Sequence, residues 1–141
     1  MGNQLTTINK VNFEDIQALN KNSYILINTL KKENQSCLIK GTLPIEQEIN
    51  VINQNIKSSD MKIIIYGRNT NDDSIIIKYK QLYRLGLCNT YIYPGGLFEW
   101  LCLQDIYGSD QFPTTSRELD ILKFKPNSSL SHNRLIKDIT G

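Results

Sequence analysis

The residues whose types and spacing could do chemistry are concentrated in one loop, residues 67–74. A β-branched, apolar run at residues 61–66 ends at this loop, and a helical pattern begins directly after it. The first N–H groups of a helix have no partner within the helix, so a loop of this size can surround a small anion. Binding or transfer of an anionic group is therefore the chemistry to consider. The loop consists of Gly67, Arg68, Asn69, Thr70, Asn71, Asp72, Asp73 and Ser74.

The side chains of this loop argue against a bound anion. Gly67 stands where the strand ends and provides no nucleophile. Arg68 is the one cation of the loop, and because Asp72 and Asp73 outweigh it, the loop has no net attraction for an anion. Both carboxylates stand where they can accept hydrogen bonds from the first N–H groups of the helix. We expect these two acids to cap the helix and to fill the anion site from within.

The three cysteines offer no clear replacement for a nucleophile. Cys37, Cys88 and Cys102 form no Cys-x-x-Cys pair, and their odd number leaves one without a disulfide partner. We expect Cys37 and Cys88 to be buried packing residues and Cys102 to lie on the apolar face of a helix. Because His132 is the single histidine, no zinc site is expected. The sequence predicts neither a metal nor another cofactor.

The elements that position the loop predict an α/β fold. Apolar runs at residues 24–27 and 63–66 are typical of strands covered on both faces of a parallel sheet. We expect a three-layer sandwich with a central, mostly parallel sheet of about five strands flanked by helices. Further strands are predicted at residues 37–39 and 90–93. Helices are predicted at residues 12–19 with Asn12 as N-cap, 45–56 with Ile49, Ile52 and Ile56 on one face, 74–85, 97–107 and 116–122.

The order of strand, loop, helix, strand, glycine pair and aromatic helix resembles the rhodanese-like domain family. The resemblance covers about residues 11–105 and rests on the order and spacing of elements, since the polar signature residues of the family are substituted. In that family a cysteine at the position of Gly67 carries sulfur. The loop is one residue longer than the usual sulfurtransferase loop, as in the related cell-division-cycle dual-specificity phosphatases, which have an arginine at the position of Asp73. The resemblance implies the fold of the family without its catalytic groups.

The aromatic helix and the segment after it provide candidates for docking a protein partner. The helix is apolar on nearly all sides, which one face of a sheet cannot bury completely. The candidates are Trp100, Phe98, Tyr107 and Phe112. In the alternative interpretation, residues 107–124 fold back over the helix, and these side chains belong to the core.

The termini and the overall charge limit the partners. Residues 1–10 are predicted to be a flexible segment, residues 11–125 the rhodanese-like domain and residues 126–141 a polar tail. Gly2 lies in a match to the N-myristoylation pattern, and one myristoyl chain holds a membrane only weakly.

A net charge of +2 indicates no nucleic-acid partner. No apolar run approaches the ~20 residues of a membrane-spanning helix. We expect a cytoplasmic protein, with weak peripheral membrane association if Gly2 is acylated.

Two classes of function follow from these features. The preferred one is a non-catalytic rhodanese-like module that acts as a structural or adaptor subunit of a larger assembly and binds protein partners. The alternative is a sulfurtransferase, a phosphatase-like enzyme or a small-anion binder that uses a non-standard set of residues.

Overall fold

A three-stranded parallel sheet forms the centre of the structure, a computed structural model that describes residues 7–20, 22–56 and 60–130. The strands lie in the order β1-β2-β3 and are Tyr24–Asn28, Lys62–Tyr66 and Thr90–Ile92. In the register of the sheet, Ile27 pairs with Ile65, which pairs in turn with Ile92. The expectation of about five strands is therefore wrong for the described residues, whereas the parallel arrangement is confirmed.

Residues 37–39 do not form the strand that the sequence predicts. Ile39 makes a single antiparallel bridge to Thr114. Its N–H donates to the hydroxyl of buried Tyr66 at 3.1 Å, so a side chain takes the place of a neighbouring strand. The apolar pattern indicated burial correctly, but burial here comes from packing under an irregular segment.

Residues 9–11 extend the sheet beyond β3. The N–H of Ile92 donates to the carbonyl of Asn9 at 2.9 Å, and the N–H of Val11 donates to the carbonyl of Ile92 at 2.8 Å. Ile8 also packs against the buried side chains on one face of the sheet. Packing against the domain thus begins before residue 11. Gly2 and residues 131–141 lie outside the described residues.

Helices pack on both faces of the sheet. The α-helices of the described residues are α1 Phe13–Gln17, α2 Ile45–Ile56, α3 Ser74–Arg84 and α4 Gly96–Tyr107. Short 3₁₀ helices occur at Lys32–Asn34, between β1 and α2, and at Ile121–Phe124, after α4. None of the helices in the described part of the chain is long and apolar enough to cross a membrane.

The alternation of strand side chains produces two hydrophobic cores. The core shared with α1 and α4 takes Leu26, Ile64 and Tyr66 from the strands. The core shared with α2 and α3 takes the intervening strand residues, Ile25, Ile27, Ile63, Ile65 and Ile92. Successive side chains of a strand point to opposite faces, so a continuous apolar run is needed to fill both cores.

Helix boundaries agree with the sequence where local chemistry sets them. Asn12 caps α1 as expected, because its side chain accepts a hydrogen bond from the N–H of Asp15 at 3.1 Å and the Asp15 carboxylate accepts one from the N–H of Asn12. The helix predicted at residues 116–122 is wrong, since a short 3₁₀ helix occurs later, at Ile121–Phe124. The expected apolar face of α2 is also only partly buried, because Ile49 and Ile56 are exposed.

Candidate functional site

Gly67 lies buried at the carboxyl end of β2, at the start of the loop that leads to α3. A Cβ atom at this position would lie 2.3 Å from Oδ2 of Asp72 and 2.8 Å from Oγ1 of Thr29. Both distances are far below van der Waals contact. The position therefore has no space for a side chain of any kind while Asp72 keeps its place.

Asp72 occupies the interior of the loop. Its Oδ2 accepts a hydrogen bond from the N–H of Arg68 at 2.9 Å, and its Oδ1 accepts from the N–H of Ser74 at 3.0 Å. The hydroxyl of Ser74 donates to the same Oδ1 at 2.5 Å. The carboxylate of Asp72 thus accepts hydrogen bonds from backbone N–H groups at both ends of the loop. The expectation that an acid fills the loop from within is met by Asp72.

Asp73 does not share this role. It occupies the N-cap position of α3, yet its side chain makes no capping hydrogen bond and is exposed to solvent. Its backbone is already helical, with φ −66° and ψ −19°, whereas a capping side chain reaches the free N–H groups from an extended N-cap residue. The expectation that both acids cap the helix is therefore wrong for Asp73.

Asn69 fixes the middle of the loop and is itself buried. Its Oδ1 accepts a hydrogen bond from the N–H of Asn71 at 2.9 Å, a local turn that asparagine favours. Its Nδ2 donates to the carbonyl of Phe124 at 2.8 Å. Both ends of this amide are therefore used to hold the loop and the C-terminal segment together. Thr70 and Asn71 are exposed at the tip of the loop.

Arg68 points away from the interior of the loop. Its guanidinium donates a hydrogen bond to the carbonyl of Lys123 and lies over the ring of Phe124, 5.4 Å from the ring centroid. The ring of Phe124 is buried in the core that includes α4. The only cation of the loop is therefore engaged by the 3₁₀ helix Ile121–Phe124, which contacts the first part of the loop at Arg68 and Asn69. The sequence reasoning missed this contact, because it joins residues 55 positions apart.

The amino end of α4 is closed by the same loop. The N–H of Leu97 donates to the carbonyl of Gly67 at 2.9 Å, and the N–H of Phe98 donates to the carbonyl of Arg68 at 2.8 Å. Gly96 has a φ of +68°, and a Cβ atom there would lie 2.7 Å from the carbonyl oxygen of Gly67. The free N–H groups of this helix are thus used on backbone carbonyls, which leaves fewer donors for an anion.

Two of the four docking candidates are buried. Trp100 is 1% exposed and Phe112 is 2% exposed, and their rings meet edge to face with centroids 5.0 Å apart. The indole N–H of Trp100 donates to the carbonyl of Pro113 at 3.1 Å. The segment after α4 does fold back over the helix, so these two side chains belong to the core. Phe98 is partly buried, and Tyr107 is 60% exposed.

None of the cysteines lies in the loop, and their environments differ. Cys37 is buried, as expected, and burial raises the pKa of its thiol. Burial also raises the pKa of Cys102, which is partly buried on α4. Raised pKa values reduce the fraction of reactive thiolate at neutral pH. Cys88 is exposed, so the expectation that it is buried is wrong; the preceding Leu87 fills the core position instead.

The loop and the other candidate residues together define the chemistry of the site. Its interior contains a carboxylate of the chain, and its one arginine is turned outward. Among residues 7–20, 22–56 and 60–130, no group of three His, Cys, Asp or Glu side chains could hold a metal ion.

Comparison with known proteins supports the fold. Neither the protein-family models nor the curated proteins gave a match. Among solved structures, the chain is similar to the crystal structure of the Alr3790 protein from Anabaena sp., with a TM-score of 0.51 and 16% identity over 80% of this chain and 97% of that one. A crystal structure of the Rhodanese_3 like domain of the same Anabaena protein is matched over 65% of this chain and 98% of that one, at 20% identity and a TM-score of 0.41. The chain shares the α/β fold of the Alr3790 protein, with a parallel three-stranded sheet flanked by helices.

Proposed function

We propose that this chain is a non-catalytic member of the rhodanese-like family that acts as a structural or adaptor subunit of a larger protein assembly. The observation that carries this proposal is the carboxylate of Asp72 in the interior of the 67–74 loop. A Cβ atom at Gly67 would lie 2.3 Å from that carboxylate. The space that a nucleophile and its bound anion would need is filled by the chain itself.

The charges of the loop support the same conclusion. A sulfur or phosphate anion that entered the loop would meet the like charge of Asp72 and would have to compete for the N–H groups of Arg68 and Ser74. The guanidinium of Arg68 is held by the C-terminal segment and does not compensate. Within the loop that the structure describes, these charges and hydrogen bonds do not favour the alternative function, an enzyme or anion binder with a non-standard residue set.

The exposed end of α4 is the surface that we assign to partner binding. Ile106 is 70% exposed and Tyr107 is 60% exposed, and these neighbouring apolar side chains end the helix that carries the aromatic core. Tyrosine contributes a large apolar area together with a hydroxyl, and it is frequent among the residues that dominate binding energy. Phe98 is a weaker candidate because it is partly buried.

The catalytic part of the proposal is tested by assays for sulfur and phosphoryl transfer. The purified chain should show no turnover of thiosulfate and cyanide, and no hydrolysis of p-nitrophenyl phosphate, above the rate without protein. Turnover that disappears in one of the variants Cys37→Ser, Cys88→Ser or Cys102→Ser would establish the alternative function.

The adaptor part is tested by isolating the chain from its native source under mild conditions. It should elute as one component of a larger complex whose other subunits are identified by mass spectrometry. Tyr107→Ala should remove those subunits, whereas Tyr83→Ala, at an exposed tyrosine on α3, should keep them. Elution of the unmodified chain alone would contradict the proposal. Retention of the subunits by Tyr107→Ala would place the binding surface elsewhere on the molecule.

A myristoyl group on Gly2 is a separate part of the proposal. One such chain would add a weak and reversible attachment to a membrane or to an apolar site on the partner. Mass spectrometry of the native N-terminal peptide measures it directly, and an unmodified Gly2 would remove the lipid from the proposed function.

A further inference from the structure

A cleft of about 590 Å³ lies at the outer edge of β1. Its walls are formed by α1, residues 39–44 and residues 110–113, and none of its lining residues belongs to the 67–74 loop. Small-molecule sites in proteins are usually concave and enclose ~300–1,000 Å³. The size of this β1-edge cleft is therefore that of a ligand site.

Apolar side chains from four separate parts of the chain line the β1-edge cleft. They include Ile16, Leu19, Leu43, Met61 and Trp100. Sites for small molecules are lined mainly by such side chains, with few polar groups to orient the ligand.

Two of the polar side chains that line the cleft, Thr42 and Gln17, already have hydrogen-bond partners. The hydroxyl of Thr42 lies 2.5 Å from the carbonyl oxygen of Ile39 and 2.7 Å from the hydroxyl of Tyr66. The amide of Gln17 donates to the carbonyl of Gln111 at 2.9 Å.

The indole N–H of Trp100 is also occupied, by the carbonyl of Pro113 at 3.1 Å. A polar ligand would lose its water at this site without gaining new hydrogen bonds from these side chains, which is unfavourable.

The charges at the rim favour neither sign. Lys40 and Asp110 both line the cleft, and both are exposed to solvent. Their opposite charges cancel at a distance, so a charged head group gains no net attraction there. The chemistry of the cleft thus selects for the apolar body of a ligand.

We propose that the β1-edge cleft binds a single alkyl chain whose polar head remains in solvent at the rim. This site is independent of the adaptor function proposed above, because it shares no residue with the loop or with the exposed end of α4.

The only tryptophan of the chain provides the readout, because Trp100 lines the cleft. The probe is 11-bromo-1-undecanol, whose bromine quenches tryptophan fluorescence on contact. Added to the full chain below its aggregation concentration, it should quench Trp100 saturably, with the far-UV circular dichroism unchanged. Tetraethylene glycol, which is of similar length but polar, should not displace it. The matched 11-bromoundecanoate should bind within about threefold of the alcohol, because the rim has no net charge.

Filling the cleft should abolish binding. Leu43→Phe adds a ring to the wall of the cleft and should raise the probe concentration needed for half-maximal quenching at least tenfold. Met61→Phe is a second filling variant in case the first does not fold. Leu85→Phe, at an exposed residue outside the lining, is the matched control and should bind like the unmodified chain.

Three results would overturn the proposal. The first is the absence of saturable quenching in the unmodified chain. The second is equal quenching in both folded filling variants and the control. The third is a preference of more than tenfold for the carboxylate, which would indicate an anion site at Lys40 instead.

Discussion

Replacement of Asp72 by alanine tests whether the chain holds the 67–74 loop together through this carboxylate. The substitution removes the acceptor of two backbone N–H groups, those of Arg68 and Ser74, and of the Ser74 hydroxyl. Loss of a capping acceptor costs ~0.5–2 kcal/mol. A second hydrogen bond to a charged acceptor adds ~1.5–3 kcal/mol when it is fully buried. Because Asp72 is only partly buried and water can replace it, we expect a total loss of about 2–3 kcal/mol in the free energy of unfolding.

Urea unfolding measures this loss, with the slope of the transition unchanged if only the native state is affected. Asp73→Ala is the matched control, because Asp73 precedes the same helix but makes no capping hydrogen bond. We expect it to change stability by no more than about 0.5 kcal/mol. Asp72→Asn keeps one acceptor oxygen and should cost about half as much as Asp72→Ala.

The vacated loop should also gain an affinity for anions. Once Asp72 is removed, the N–H groups of Arg68 and Ser74 are free to bind sulfate. Sulfate at ten times its dissociation constant would restore about 1.4 kcal/mol to Asp72→Ala. Sulfate stabilises most proteins by exclusion from their surface, so the unmodified chain and Asp73→Ala give the baseline, each measured against chloride at equal ionic strength. An Asp72→Ala variant that is no less stable than Asp73→Ala would show that the carboxylate of Asp72 does not stabilise the loop.

Three further predictions concern the loop, the core and the thiols. Gly67→Ala should destabilise the chain by about 2 kcal/mol in urea unfolding. The loss should be at least about 1 kcal/mol smaller when Asp72 is also alanine, because the closer of the two Cβ contacts is with that carboxylate and only the contact with Thr29 remains. Additive effects of the two substitutions would contradict this. Phe112→Ala should lower the free energy of unfolding by about 3–5 kcal/mol in the same assay, because the ring is buried against Trp100. A loss below about 1 kcal/mol would show that the residue is not part of the core. Iodoacetamide at neutral pH should label exposed Cys88 before Cys37, because burial shields that thiol and raises its pKa; mass spectrometry of timed digests would reveal the opposite order.

Local sequence chemistry predicted much of the fold. The N-cap of α1 at Asn12 and the boundaries of α2 follow from residues within one or two helical turns, so no distant contact was needed to find them. The apolar runs of β1 and β2 likewise required burial on both faces and a parallel sheet. What failed depended on distant partners. Residues 37–39 are buried under the segment that contains Thr114, and no periodic pattern reports such a contact.

The sequence identified the residues of the candidate site but not the distant segment that packs against them. The place of Asp72 followed from its position before the helix, whereas the difference between Asp72 and Asp73 depended on backbone angles that the sequence does not reveal. The closure of the loop by Phe124 was not predictable at all. It requires Arg68 and Asn69 to meet a segment 55 residues away in the chain.

The close packing of Gly67 against Asp72 also constrains the order in which this loop could change during evolution. A first substitution that placed cysteine at residue 67 would meet the Asp72 carboxylate, because even a Cβ atom would lie 2.3 Å from it. A first substitution that removed Asp72 would leave the N–H groups of Arg68 and Ser74 without their acceptor. Each single step lowers stability, and only the pair of changes removes the closest obstacle to a side chain at residue 67, because the remaining contact is with Oγ1 of Thr29 at 2.8 Å. The glycine and the aspartate are therefore expected to persist or to change together among descendants of this sequence.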